Sequence, residues 1–289
     1  MRSIHVPLQV FSVLALGCVF TSSAYATTVK FDSFSNPTGL TLNGNAAVVN
    51  TSDGDVLRLT PATFYQFGSA FSSTTISAST FSTFFKFRIT NPGGRIGECN
   101  TESGADGLVF VAQSVSSSIG GVGEGIGYKG IPNSVGVEFD TWCNNFNNDP
   151  SSNHIGIDTG GNVNHGVGAP FTVNVSPNFD DGNIWYAWID YNGTNLEVRT
   201  NQTGLRPVDA LLSRTLDIPS LLGGVENAYV GFTSGTGGDY GNHDILSWEY
   251  HDTFDPMDPK PVPEPSATVP LVGLGLMSLG FMYHRRKSN

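Results

Sequence analysis

The segment Val137-Glu138-Phe139-Asp140-Thr141-Trp142-Cys143-Asn144, running on to Asp149-Pro150 and His154-Ile155-Gly156-Ile157-Asp158, gathers the side chains that bind cations. Strand residues alternate between faces, so Glu138 and Asp140 point to the same side. A polar loop then returns Asn144 and Asp149 toward them, and the next strand opens with His154. Oxygen-bearing side chains and an imidazole converging from two strands and their loop are costly unless a cation neutralises them. The oxygen-rich part suits calcium, and carboxylates with one histidine suit manganese or a similar divalent ion. Taken singly these residues have ordinary readings: Trp142 a core or rim aromatic, His154 a strand histidine, Glu138 and Asp140 an exposed strand face. Their joint spacing is what favours a metal loop.

Strands must position these groups. Period-two alternation or short apolar runs recur at Phe81 to Ile89, Leu108 to Ala112, Val135 to Phe139, Ile184 to Tyr191, Leu196 to Arg199, Ala228 to Phe232 and Ile245 to Tyr250. Asn192-Gly193, between two of these runs, predicts a hairpin, since both residues tolerate positive φ. Only 13% of the 289 residues are charged and glycine reaches 35, a profile of an all-β exported fold. The expected architecture is all-β, two stacked antiparallel sheets in one domain. The net charge of -11 argues against a nucleic-acid partner, which needs clustered Lys and Arg.

Glu, Asp at +2, an aromatic at +4, Asn at +6, Asp at +11 and His at +16 resemble the metal loop of the legume-type lectins and their bacterial relatives. Ala105-Asp106-Gly107-Leu108-Val109-Phe110 resembles that family's sugar-binding strand. Val230-Gly231-Phe232-Thr233, through Thr236-Gly237 to His243-Asp244-Ile245-Leu246-Ser247-Trp248, resembles its last specificity loop and strand. The resemblance implies a concanavalin A-like jelly-roll sandwich and a non-enzymatic, metal-dependent carbohydrate-binding protein. It implies a transition-metal site of Glu138, Asp140, Asp149 and His154. It implies a calcium site of Asp140, Asn144, Asp149 and the Trp142 carbonyl, with Asp140 and Asp149 bridging Ca2+ and Mn2+. The Ala105-Asp106 peptide is cis in the family. In the implied glycan pocket Asp106 accepts from two hydroxyls, the Asn144 amide donates and the Trp142 ring lies on the sugar face. A backbone amide of the Gly120–Gly125 run, with Gly123 preferred, completes the set, and Gly238, Asp239 and Tyr240 set monosaccharide preference. Cys99 and Cys143 each lie a few residues from a pocket element, so a disulfide between them is expected. Dimers through the back sheet are common among such sandwiches.

His165, His243 and His251 have no such support and read as structural, and Trp185, Trp188 and Trp248 as packing. Thr159-Gly160-Gly161 after Asp158 departs from the family pattern. The rival is an enzyme, because β-glucanases of this fold place a second Glu after the Glu-x-Asp pair. Glu138-Phe139-Asp140-Thr141-Trp142-Cys143 has none. A third reading is a matrix or adhesion protein that keeps the fold without binding sugar.

The ends point to export. Arg2, the apolar run Val10 to Phe20 and Ala24-Tyr25-Ala26 make residues 1–26 a signal peptide, the mature chain starting at Thr27. The rival reading, a lipidated Cys18, has a poor box in Ala15-Leu16-Gly17. Residues 27–254 form the domain and 255–266 a Pro-rich linker ending in Val262-Pro263-Glu264-Pro265. Residues 267–289 hold a short apolar stretch, Ala267 to Tyr283, and the basic tail Arg285-Arg286-Lys287. This arrangement resembles the PEP-CTERM sorting signal of Gram-negative bacteria. That implies an exosortase partner, cleavage near Pro263-Glu264-Pro265 and delivery to the cell surface or extracellular matrix. The alternative is a permanent single-span anchor.

Overall fold

Alternating side chains let one face of a strand enter a core while the other meets solvent or a covering loop. The computed structural model describes residues 28–94, 104–121, 123–166 and 171–258. The signal segment, Cys99 and the apolar C-terminal stretch lie outside the described residues, among which no helix is long and apolar enough to cross a membrane. In chain order the strands are β1 (Thr28–Phe31), β2 (Leu40–Gly44), β3 (Ala47–Thr51), β4 (Gly54–Thr60), β5 (Phe67–Ser72), β6 (Ile76–Ser77), β7 (Phe81–Gly93) and β8 (Gly107–Gln113). They continue as β9 (Ser134–Asp140), β10 (His154–Thr159), β11 (Thr172–Asn174), β12 (Trp185–Tyr191), β13 (Asn195–Asn201), β14 (Leu212–Thr215), β15 (Asn227–Gly235) and β16 (Tyr240–His251). A single helical turn, α1 (Ile218–Leu221), is capped by Asp217, which accepts from the Ser220 amide.

Two eight-stranded antiparallel sheets result. The back sheet runs β14-β13-β12-β7-β16-β4-β3, with β1 also on β16, and the front sheet runs β11-β10-β9-β8-β15-β5-β2, with β6 on β15. Each alternating run read from the sequence lies in one of these strands, save that Ile184 stands one residue before β12. At the Asn192-Gly193 hairpin only Gly193 takes positive φ, at 92°. Asn192 contributes instead through its side chain, which accepts from the amides of Thr194 and Asn195.

Phenylalanines from both sheets interdigitate between them: Phe85 of the back sheet meets Phe232 edge-on at 4.9 Å and Phe139 at 5.6 Å. Trp185 and Trp248 belong to this core, as expected. Trp188 points to the other side of β12 and packs 5.2 Å from Phe84. Removing one such core ring costs about 3–5 kcal/mol, which keeps the sheets in fixed register. The front sheet is buried on both faces at β8 and β9. Its outer side carries a second apolar cluster, where Val109 and Val111 pack under Ile126, Tyr128 and Ile131. That covering segment makes the outer face of the front sheet a protected place for polar groups.

Candidate functional site

Val135, Val137 and Phe139 of β9 enter the main core, so Glu138 and Asp140 face the opposite side of the front sheet. Antiparallel pairing sets His154 opposite Asp140 and Gly156 opposite Glu138. Gly156 leaves the room these groups need: a Cβ there would stand 2.9 Å from His165 Nε2 and closer still to Glu138 Oε1. The loop after β9 is folded back by its own acids. The Trp142 amide donates to Asp140 Oδ1 at 2.6 Å and the Asn144 amide to Asp149 Oδ2 at 2.6 Å.

His154 Nδ1 donates to the Ser151 carbonyl oxygen at 2.9 Å. A carbonyl only accepts, so Nδ1 carries a proton, and in the neutral ring Nε2 presents a lone pair. That lone pair faces Glu138 Oε1 at 3.1 Å. Two electron-rich atoms so close need a proton or a metal ion to hold them together. His165 lies in the same cluster, with Nε2 2.6 Å from Glu138 Oε1 and Nδ1 3.2 Å from Asp149 Oδ1. The sequence reading gave this residue a structural role, and the structure corrects its placement.

The acids cannot all carry charge here unaided. Burial, and then the charges of Glu138 and Asp149, push the Asp140 carboxyl well above the usual carboxylate range. Burial and Glu138 do the same to Asp158. Against the upward push of burial, the adjacent imidazoles of His154 and His165 hold Glu138 below its ordinary value. Burial pulls the His165 imidazole down, yet Asp149 and Glu138 outweigh it and lift it to about 10. Asp158 Oδ2, Thr141 Oγ1 and both His165 ring nitrogens are buried without a hydrogen-bond partner among the described residues. Glu138 with His154 and His165, and Asp140 with Asp149 and His154, form two sets whose ligand atoms lie within 4.8 Å of one another. Oxygen and imidazole donors that converge, and are left unsatisfied by each other, fit divalent ions.

The pocket beside this cluster is tied to it by backbone pairing. Gly107 lies opposite Asp140 across β8 and β9, and the Thr141 amide donates to the Asp106 carbonyl at 3.1 Å. The Ala105-Asp106 peptide is cis. Asp106 is 4% exposed and its Oδ2 has no hydrogen-bond partner among the described residues. Burial, with the charges of Glu124 and Asp239, pushes its carboxyl well above the usual range. Gly237 passes close by: a Cβ on it would stand 3.7 Å from Asp106 Oδ2 and 3.8 Å from Gly123 Cα. Asp106, Gly123 and the loop that leads from Gly237 into Gly238-Asp239-Tyr240 therefore lie at one place. The Gly123 amide donates to the Thr236 carbonyl at 3.2 Å, so a ligand at that amide has to share the donor. Asn144 is buried at the start of the loop and Trp142 is partly exposed beside it. The sequence reading missed the rim: Phe64 meets Tyr240 edge-on at 4.8 Å, and the Tyr65 amide donates to the Gly237 carbonyl while its ring is 70% exposed. Both lie between β4 and β5, and the pairing of β4 with β16 and of β5 with β15 brings them here.

The chain is thus a double-layered antiparallel sandwich with a carboxylate-histidine loop beside a buried aspartate. Residues 26–266 match the legume lectin domain family, and the chain belongs to that family. Residues 261–287 match the PEP-CTERM protein-sorting motif. The chain is 33% identical over 220 residues to the L-type lectin-domain containing receptor kinase VIII.1 of Arabidopsis thaliana, a match covering 74% of this chain and 28% of the kinase. It thus spans about a quarter of such a receptor's length. It is 29% identical over 279 residues to Agglutinin-2 of Cladrastis kentukea, covering 86% of this chain and 89% of the agglutinin. Among solved structures, basic winged bean lectin with Tn-antigen superposes with a TM-score of 0.64 at 28% identity, covering 78% of this chain and 98% of that one. The metal-free form of lectin I-B4 from Griffonia simplicifolia gives a TM-score of 0.61 at 26% identity, with coverage of 78% and 98%.

Proposed function

We propose that this chain is an exported, metal-dependent glycan-binding protein that acts at the cell surface or in extracellular polysaccharide. The observation that carries the reading is the coupling of the two sites. Asp106, buried with an unpartnered oxygen, is held by the same β8–β9 pairing that sets Asp140 in the metal cluster. Glu138, Asp140, Asp149 and His154 would hold a transition ion such as manganese, and Asp140, Asn144, Asp149 and the Trp142 carbonyl would hold calcium. The ions supply the positive charge that lets these carboxylates ionise together and fixes the loop between β9 and β10. With that loop fixed, the Asn144 side-chain amide donates to a sugar hydroxyl and the Asp106 carboxylate accepts from two others. The Trp142 ring covers the apolar sugar face, and Tyr65 and Tyr240 extend an aromatic rim that suits further residues of an oligosaccharide.

Galactose and Tn-antigen, named for solved relatives, are the first sugars to test. We read the site as binding rather than catalysing, because Asp140 is followed by Thr141, Trp142 and Cys143 rather than a second Glu. The protein-sorting motif supports export and surface delivery, with an exosortase-type enzyme as the processing partner. Pairing through the back sheet is a proposal for the oligomer, which light scattering tests. A glycan array read in calcium and again after chelation tests the function. Binding that chelation abolishes supports the reading. Absence of binding in both conditions favours a matrix protein that keeps the fold alone, and binding indifferent to chelation overturns the metal dependence.

A further inference from the structure

His165 is the member of the metal cluster that neither strand alternation nor the family resemblance accounts for. It arrives from the segment after β10, where Gly160 and Gly161 turn the chain at φ 62° and 73°. Gly161 lies where no Cβ fits, against the backbone of Gly130 and Ile131. The His165 amide donates to the Asn147 carbonyl at 2.9 Å, which ties it to the β9–β10 loop. The side chain is 4% exposed. Nε2 lies 2.6 Å from Glu138 Oε1 and 3.6 Å from Asp158 Oδ1, and Nδ1 lies 3.2 Å from Asp149 Oδ1. None of these approaches follows a hydrogen-bonding direction, so both ring nitrogens are orphaned in a buried site. A buried imidazole placed against three carboxylates without a hydrogen bond is costly unless its lone pair has another partner. Its ring stands edge-on to His154, with centroids 5.2 Å and planes 89° apart. Glu138, His154 and His165 each bring a ligand atom within 4.8 Å of the other two.

We infer that His165 is a further protein ligand of the transition ion held by Glu138 and His154, and that this second imidazole makes the site favour zinc or cobalt over manganese. The inference rests on the two-ion site proposed above. Imidazole donors suit the later first-row ions, whereas carboxylate, carbonyl and water suit manganese, magnesium and calcium. Zinc is satisfied by four donors in a tetrahedron. Two imidazoles and two of the three nearby carboxylates meet that demand, leaving the oxygen-rich side of the loop to calcium.

The test uses the full chain, stripped of metal and returned to calcium. Zinc and manganese are titrated by calorimetry into the parent, His165→Asn and His154→Asn. The expected result is tighter zinc than manganese binding in the parent. His165→Asn should lose at least about 10-fold in zinc affinity, the range that even outer partners of a ligand reach, with a smaller loss for manganese. Copper(II) bound to protein labelled with 15N-histidine adds a readout that a purely structural role would not move. Hyperfine coupling to two imidazole nitrogens is expected in the parent and to one in His165→Asn. A single nitrogen in the parent overturns the inference, even if the variant fails to fold, and so does an unchanged zinc-to-manganese preference in a folded variant. A parent that takes up no transition ion, or is indifferent to His154→Asn, overturns the two-ion reading and this inference with it.

Discussion

Asp106 is a carboxylate in a costly place. Burial and two neighbouring acids oppose its charge, and one oxygen has no protein partner among the described residues. Such a group does little for the folded chain, which is why we propose that it serves a ligand. Asp106→Ala should abolish glycan binding while the melting temperature holds or rises, since an uncompensated buried acid is removed. Calorimetry with a bound glycan, beside a thermal melt, measures both. Unchanged affinity in a folded variant would sink the pocket. Asn144→Ala should lose calcium and sugar together. His243 shows the opposite economy, a buried group that serves the fold. Its Nδ1 and Thr60 Oγ1 are 2.7 Å apart, and burial, helped by Arg58, lowers its pKa to about 3. The folded state then refuses a proton that the unfolded chain accepts near 6.5. Stability from this residue is present above that value and lost as pH falls toward about 3, at up to ~1.4 kcal/mol per pH unit. His243→Gln should flatten the stability profile across that window relative to the parent, and parallel profiles in urea would refute it.

Elements, more than single residues, decide which parts of the site could be read in advance. Glu138, Asp140, Asn144, Asp149 and His154 occupy one continuous stretch, and strand alternation alone puts the two acids on one face. His165 was not legible in the same way. It sits only 11 positions beyond His154, but its approach depends on how Gly160 and Gly161 fold against Gly130 and Ile131. The odd Thr159-Gly160-Gly161 run was a signal that the chain turns differently there, without saying toward what. Phe64 and Tyr65 were hidden for a related reason, since they reach Tyr240 through sheet pairing between segments about 180 residues apart, a non-local contact of the kind strand periodicity does not encode. The β9–β10 pairing also makes Gly156 a spacer. Gly156→Ala should push Glu138 and His165 aside, lowering transition-ion affinity by at least about 10-fold while calcium binding is better preserved. Equal affinity for both ions in that variant and the parent would contradict the packing argument. In the loop between these strands, Cys143 is fully buried. Its proposed bridge to Cys99 closes about 45 residues, stabilising by roughly 3–4 kcal/mol in the chain-entropy model. Titration of denatured, unreduced protein should find neither thiol free.

For the molecule as a whole, the buried acids and His165 tie stability to pH. Without metal, Asp106, Asp140 and Asp158 bind protons more tightly folded than unfolded, and so does His165. Raised values mean stability that is present at low pH and lost as pH rises through them, for His165 from 6.5 toward about 10. Chelated protein should therefore lose stability from mildly acidic to alkaline pH, and calcium with a transition ion should remove most of that slope. Thermal melts with and without chelator measure it, and identical slopes would argue against ion binding by these groups. At the C-terminus we expect native protein to lack Ala267 to Asn289, and intact mass ending at Asn289 would show a retained segment. Either outcome leaves the chain departing from the same corner. β16 begins at Tyr240 on the pocket rim and ends at His251, where β1 pairs with it. Twelve residues of strand separate pocket from exit by about 35–40 Å. When a surface tether and a held polysaccharide pull against each other, tension enters and leaves at opposite ends of this strand. The load runs parallel to β16, so its backbone bonds to β7 and β4 bear it together in shear instead of opening one after another. If the chain is tethered and holds a polysaccharide as proposed, the sugar contact should yield before the sandwich does.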